Sequence, residues 1–330
     1  MARMLVRAAL TAFLPLCVGL AFQLPATLPS TDGPISIIPV AKRATAELAP
    51  SSIRVDSSLV LIPAHVTTSI GGPVVNLAKE DFRLFEDGVE QRITHFGLDD
   101  APISIGLVFD TSGSMHDKMR KASEAAAAFF KTANAEDEFF LVEFGDRPKL
   151  AVPFTTDSQF VYRRIAGLRP FGRTSLLDAI HMALTQMKGA RNSRKALVIF
   201  SDGGDNCSRQ TAGQIKNALV ESDIQLYAMG IFDLEDSRKH PREEREGPQL
   251  LDELAAKTGG YNYPVKDLEE LPAISARISR ELRTEYVLGY SPAGVARDGK
   301  YHRVRVTLTG TAEARELRTY YRQGYYAPGQ

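Results

Sequence analysis

Between residues 103 and 283, apolar runs of strand length alternate with stretches whose apolar residues recur every three to four positions. That alternation constrains the chain more than any other feature. Residues 103–109, 138–144, 149–154, 196–200 and 224–230 read as strands. Met119, Ala122, Ala126, Phe129 and Phe130 fall at helical spacing, as do Leu176, Ile180, Ala183, Leu184 and Met187. Further helices fit 212–221, 249–258 and 267–283. Continuous apolar strands separated by amphipathic helices specify an α/β fold, with a mostly parallel sheet covered on both faces. The link Gly145-Asp146-Arg147-Pro148 is too short for a parallel crossover, so 149–154 is expected to be an antiparallel edge.

Outside this block the pattern is β. Residues 59–66 and 82–85 read as strands, Glu86-Asp87-Gly88 as a turn, and 89–96 as the returning strand of a hairpin. Residues 285–290, 301–308 and 317–324 follow the α/β block. Isolated hairpins are marginal in water. The two flanks, 51–101 and 284–330, are therefore expected to fold together as a small all-β, sandwich-like domain into which the α/β domain, 102–283, is inserted.

The N-terminal residues read as an address. Arg3 and Arg7 precede an apolar run over 8–22 that ends at the small residues Gly19 and Ala21, the pattern of a cleaved export signal over 1–22. The run is short for a bilayer span and Pro15 interrupts it. Residues 23–50, rich in Pro, Ser, Thr and Ala, read as a disordered linker. The expected location is periplasmic or extracellular, with no stable membrane span once the signal is cleaved. Forty Lys and Arg balance forty Asp and Glu, so no basic field is available to recruit nucleic acid. Two cysteines exclude a disulfide scaffold. Loss of the signal would remove Cys17 and leave Cys207, expected as a small buried hydrophobe.

The chemistry concentrates at strand ends. The 103–109 strand runs into Asp110-Thr111-Ser112-Gly113-Ser114-Met115, just ahead of a helix. A bare D-x-S-x-S is a weak signal, but open α/β sheets bind ligands beyond the carboxyl ends of their strands. A second strand end, Ser201-Asp202-Gly203-Gly204, would bring Asp202 to the rim that Asp110 occupies, and Gly172-Arg173-Thr174-Ser175 would add the Thr174 hydroxyl. Two carboxylates converging in a desolvated crevice repel, and one is expected to hold a proton at a raised pKa unless a cation intervenes. Asp110, Ser112, Ser114, Thr174 and Asp202 offer only oxygens, which selects Mg2+, Mn2+ or Ca2+ over Zn2+ or Cu2+. Few carboxylates and several hydroxyls would leave such an ion under-neutralised, with a free position for an anionic group.

DTSGSM after an apolar strand, GRTSLLDAI opening a helix, and SDGGDN after a later strand resemble the von Willebrand factor type A domain and its metal-ion-dependent adhesion site. The resemblance covers about 102–283. It implies a Rossmann-like domain in which Ser112, Ser114 and Thr174 coordinate the ion through hydroxyls while Asp110 and Asp202 act directly or through water. It further implies that an Asp or Glu of a partner protein completes the coordination. The flanking stretches KEDFRLFEDGVEQRITHF, YVLGYSP, DGKYHRVRV and GYYAP are similar to bacterial secreted proteins of a VWFA-related group.

Blander roles compete at each position. Asp110 and Asp202 suit turns, and Thr174 suits a helix N-cap. His181 reads as a packed or surface residue and His116 as exposed. The charged stretch 233–246 reads as a solvated loop or helix end, and Tyr320, Tyr321, Tyr325 and Tyr326 as packing on the β core. No P-loop, HExxH, CxxC or G-x-S-x-G is present. A binding module that captures an acidic side chain through the cation, and not an enzyme, is the expectation. Two alternatives stand: binding through the β-domain with a structural or vestigial metal site, and a metal-dependent hydrolase, for which Arg173 is the nearest phosphate-clamping candidate.

Overall fold

The computed structural model describes residues 59–68, 72–232, 243–265, 267–292, 298–314 and 316–327. The expected signal, the linker and most of the charged stretch 233–246 lie outside these residues. In chain order the elements begin with β1 (Val60–Thr67), β2 (Phe82–Glu86), β3 (Val89–Gln91) and β4 (His95–Asp99). The central block follows with β5 (Ile103–Asp110), α1 (Met119–Phe130), β6 (Glu138–Phe144), β7 (Pro148–Thr155), α2 (Ser158–Ala166), α3 (Leu176–Met187), β8 (Arg194–Ser201) and α4 (Ala212–Ser222). It continues with β9 (Gln225–Ile231), α5 (Glu243–Thr258), β10 (Asn262–Val265) and α6 (Leu271–Glu281). The chain closes on β11 (Glu285–Tyr290), β12 (Tyr301–Leu308), α7 (Gly310–Ala314), β13 (Arg318–Tyr321) and β14 (Gly324–Tyr326).

The central sheet has the order β10-β9-β8-β5-β6-β7. All its pairings are parallel except β6 with β7, so β7 is the antiparallel edge that the short Gly145–Pro148 link requires. Side chains alternate by face with period two. Ile105, Leu107 and Phe109 of β5, with Ala196, Val198 and Phe200 of β8, meet α1, α2 and α6 on one face. Val108, Leu197 and Ile199 meet α3, α4 and α5 on the other. Gly106 faces that second layer. A Cβ there would stand 2.3 Å from a Phe140 ring carbon and 2.6 Å from Leu197, so two large side chains fill its place.

The flanks form two four-stranded antiparallel sheets, β13-β1-β11-β4 and β14-β12-β2-β3, each mixing strands from before and after the central block. They share one core that includes Ile62, Ala64, Phe82, Leu84, Tyr286, Leu288, Tyr290, Val304 and Val306. The buried Glu86 carboxylate ties them by accepting hydroxyl bonds from Tyr290 at 3.0 Å and Tyr325 at 2.5 Å.

Several expected boundaries change. The hairpin turns at Asp87 and Gly88, both at positive φ, but its second strand ends at Gln91, and His95–Asp99 crosses to pair with β11 in the other sheet. The 317–324 run likewise divides between β13 and β14, which lie in different sheets. The 267–283 helix begins as a 3-10 turn at Leu268–Glu270 and becomes α-helical at Leu271. Helices α2 and α7 and strand β10 were not expected.

Candidate metal centre

Strand β5 delivers Asp110 to the carboxyl rim of the sheet, wholly buried. Its Oδ1 accepts the Ser112 N–H at 2.8 Å and its Oδ2 accepts the Ser201 hydroxyl at 2.6 Å. Ser201 Oγ in turn accepts the Gly203 N–H at 3.0 Å, so the ends of the adjacent parallel strands β5 and β8 are joined through one serine. Asp202 follows immediately and accepts the Gly204 N–H at 3.3 Å. The turn roles open to both aspartates in the sequence are therefore realised, alongside the convergence.

The loop after Asp110 is held from three sides. Thr111 N–H donates to the Phe144 carbonyl at 2.7 Å, the Phe171 N–H to the Thr111 carbonyl at 2.7 Å, and the Gly113 N–H to the Gly172 carbonyl at 3.0 Å. The last two bonds seat the loop of Thr174 against the loop of Ser112 and Ser114. Ser112 Oγ and Ser114 Oγ lie 3.1 Å apart. Thr174 is buried, and its backbone is clamped by Asn206, whose Oδ1 accepts the Thr174 N–H at 3.0 Å and whose N–H donates to the Thr174 carbonyl at 3.0 Å. Thr174 is not the cap of α3. The N-cap position is Ser175, without a side-chain cap bond, and Asp205 reaches the helix start instead, accepting the Leu177 N–H at 3.3 Å.

Burial first, and the Asp202 charge second, push the Asp110 pKa up to about 7, against bonds from Ser112 and Ser201 that pull it down. Desolvation, with the neighbouring charge adding to it, is what raises a carboxylate that meets another at a dry rim. Among the described residues, no three His, Cys, Asp or Glu side chains gather to hold a metal. A cation at this rim would depend on two carboxylates and three hydroxyls, an all-oxygen set that fits a hard ion and not a thiophilic one.

Two contributors were missed in the sequence. Ser201 bridges the strand ends, and a serine just before an aspartate carries no separate signal. Lys118 is 2% exposed with its Nζ 3.4 Å from Asp202 Oδ2. Nothing in the local residue pattern singles it out. His116 and His181 are exposed. Cys207 is only partly buried, on the loop after Asp202, where its N–H donates to the Thr174 carbonyl at 3.2 Å; it is not a core residue. Phe171 stands 79% exposed on the rim.

Residues 105–204 match the von Willebrand factor type A domain family. An uncharacterized protein of Borreliella burgdorferi is 26% identical over 188 residues, 51% of this chain and 55% of that one. Inter-alpha-trypsin inhibitor heavy chain H2 of Sus scrofa is 26% identical over 155 residues, 42% of this chain and 17% of that one. The chain thus spans about half the length of the first relative and less than a fifth of the second. Among solved structures, a von Willebrand factor type A protein from Catenulispora acidiphila aligns with a TM-score of 0.48 at 13% identity, over 78% of this chain and 76% of that one. The matched segment begins inside β5 and ends just past Asp202, so it contains all three loops of the rim. The chain carries a von Willebrand factor type A domain.

Proposed function

We propose that the chain is an exported, metal-dependent protein-binding module, in which a divalent cation held by Asp110, Ser112, Ser114, Thr174 and Asp202 captures an Asp or Glu side chain of a partner. The supporting observation is the buried Asp110 carboxylate, pushed up to about 7 beside Asp202 and flanked by paired serine hydroxyls. Such a rim is rich in hard donors. The bound ion would supply a localised positive charge with a replaceable coordination position. The chain's own residues do the rest. Ser201 and the Ser112 N–H orient the Asp110 carboxylate, and the Gly113 to Gly172 bond keeps the two hydroxyl-bearing loops in register. Phe171 offers an apolar contact to whatever residue flanks the captured acid. Export follows from the Arg3 to Ala21 pattern.

Thermal melting of the full chain with and without Mg2+ tests the reading. At a hundredfold excess over Kd, mass action stabilises the wild type by about 2.7 kcal/mol. Asp110→Ala should lose that gain entirely, and an equal gain in the variant rejects the assignment.

A further inference from the structure

The outer face of β1 and β11 is apolar where a polar surface is expected. Ile62, Ala64 and Val66 of β1 belong to the sandwich core, so by the two-residue period Leu61 and Pro63 lie on the opposite face. Val287 sits between the core residues Tyr286 and Leu288 and pairs with Pro63 across the strands. The face of an antiparallel sheet that is turned away from the core is ordinarily polar, yet Leu61 is 48% exposed. These three side chains line one wall of the cleft where the sheet meets the α/β block, and Leu219, Val220 and Ile224, from the end of α4 and the approach to β9, line another. The cleft holds about 230 Å³, less than the roughly 300–1,000 Å³ of drug-sized sites. It suits a small molecule with an apolar body.

Charge on the lining selects the other end of that molecule. Arg194, Lys195, Lys257 and Arg322 stand against Asp99, Asp223 and Glu285, an excess of one positive charge that protonation of any carboxylate would only enlarge. The three carboxylates are already held. Glu285 lies 3.0 Å and Asp99 3.6 Å from Arg194, and Asp223 lies 2.5 Å from Arg322. Lys195 and Lys257 are in no ion pair among the described residues. Glu253, one helical turn before Lys257, gives its carboxylate to Lys216. The register puts the two lysines on neighbouring backbone. Lys195 precedes Ala196, which pairs with Gln225 of β9, and the next N–H along, that of Leu226, donates to the hydroxyl of Thr258, the residue after Lys257. An unpaired ammonium beside an apolar cleft attracts an anion more strongly than one in open water.

We propose that this cleft is a second binding site, for a small amphipathic monoanion such as a short-chain carboxylate, with its charge drawn by Lys195 and Lys257 and its tail against Leu61, Pro63 and Val287. A single negative charge matches the single excess on the lining, whereas a phosphate dianion would overshoot it. The site lies at the opposite edge of the sheet from the rim of Asp110 and needs no metal. Its ligand touches both the sandwich and the α/β block, so binding ties the two together.

The experiment titrates the full chain calorimetrically with hexanoate. Acetate, hexanol and hexylammonium serve as probes that lack the tail, lack the charge and invert it. EDTA is present throughout, which keeps carboxylate capture by a cation at the rim out of the measurement and makes the outcome independent of the metal-site reading. Hexanoate should bind once per chain, at least about tenfold more tightly than each other probe. The double variant Lys195→Gln, Lys257→Gln should erase its advantage over hexanol, and Leu61→Asn should weaken hexanoate and hexanol alike. No saturable uptake of hexanoate up to about 10 mM overturns the proposal. So does acetate or hexylammonium binding as tightly as hexanoate, or hexanoate binding unchanged in either variant. Should the double variant fail to fold, Lys257→Gln alone, at an exposed position, is read in the same way.

Discussion

Asp110 uses both carboxylate oxygens inside the fold, one on the backbone of its own loop and one on the Ser201 hydroxyl of the neighbouring strand end. Ser201→Ala therefore removes a donor from a buried carboxylate and an acceptor from the Gly203 N–H. A loss of about 1–3 kcal/mol is expected in urea unfolding without added Mg2+; a change below about 0.5 kcal/mol would mean that Ser201 does not hold the rim. Gly106 makes a second expectation. Its place is filled by Phe140 and Leu197, so Gly106→Ala should cost about 1–3 kcal/mol through overpacking, measured by the same unfolding curve. That Asp110, Ser112, Ser114, Thr174 and Asp202 lie at strand ends or a helix start was legible from one-dimensional pattern; that they hold a cation is proposed. The contributions of Lys118 and Ser201 were not legible. Their roles depend on the twist of a turn and on strand order, neither of which is written in local residue type.

The long, strongly periodic elements were the readable ones. Helices α1 and α3 bury six and seven residues each, and their spacing alone locates them. Helix α2 buries only Val161 and Ile165, too few positions to set a period. Strand β10 is four residues long, includes Pro264, and survives as an outer strand of the sheet, where a missing N–H is tolerated. The strands that split at Gln91 and Tyr321 did so because the chain changes sheets there. Which sheet a strand joins is a long-range choice. Helix α4 shows the opposite case, in which local chemistry decides. Thr211 Oγ1 accepts the Gln214 N–H at 3.3 Å while the Thr211 N–H donates to Gln214 Oε1 at 2.8 Å, a reciprocal cap. Thr211→Ala should cost about 1 kcal/mol in thermal or urea unfolding, and Thr211→Ser should recover most of it.

At the scale of the molecule, the α/β block and the flanking sheets meet at the edge opposite the candidate metal rim, through a buried charged cluster. Arg194, at the start of β8, donates to Glu285 Oε2 at 3.0 Å and to the Ala101 carbonyl at 3.0 Å, and Asp99 lies 3.6 Å from its Nε. Glu285 Oε1 also receives Gln225 from β9 and lies 3.3 Å from His65 Nε2 on β1. The cluster borders a cleft of about 230 Å³ whose lining includes Arg194, Gln225 and Glu285. For His65, burial is the largest influence and lowers its pKa, but the Glu285 bond and charge, with smaller help from Glu281 and Gln225, outweigh it and leave the pKa raised. For Glu285, burial raises the pKa most, yet His65 and Arg194 together hold it below the usual value. The two shifts act on opposite sides of neutrality. The His65 contribution is complete below the unfolded value of 6.5 and is lost as pH rises through its higher folded value; the Glu285 contribution is complete above 4.5 and is lost as pH falls through its lower folded value. Stability from this cluster should therefore peak between about pH 4.5 and 6.5. Glu285→Gln leaves Arg194 and His65 without their shared carboxylate and should cost about 3–5 kcal/mol at pH 6. His65→Gln should selectively flatten the decline on the alkaline side. Melting temperatures of the three proteins across pH 4 to 9 would check both. An alkaline decline as steep in His65→Gln as in wild type would remove His65 from the cluster's electrostatics, and an unshifted Glu285→Gln curve would mean that packing alone joins the two halves of the fold.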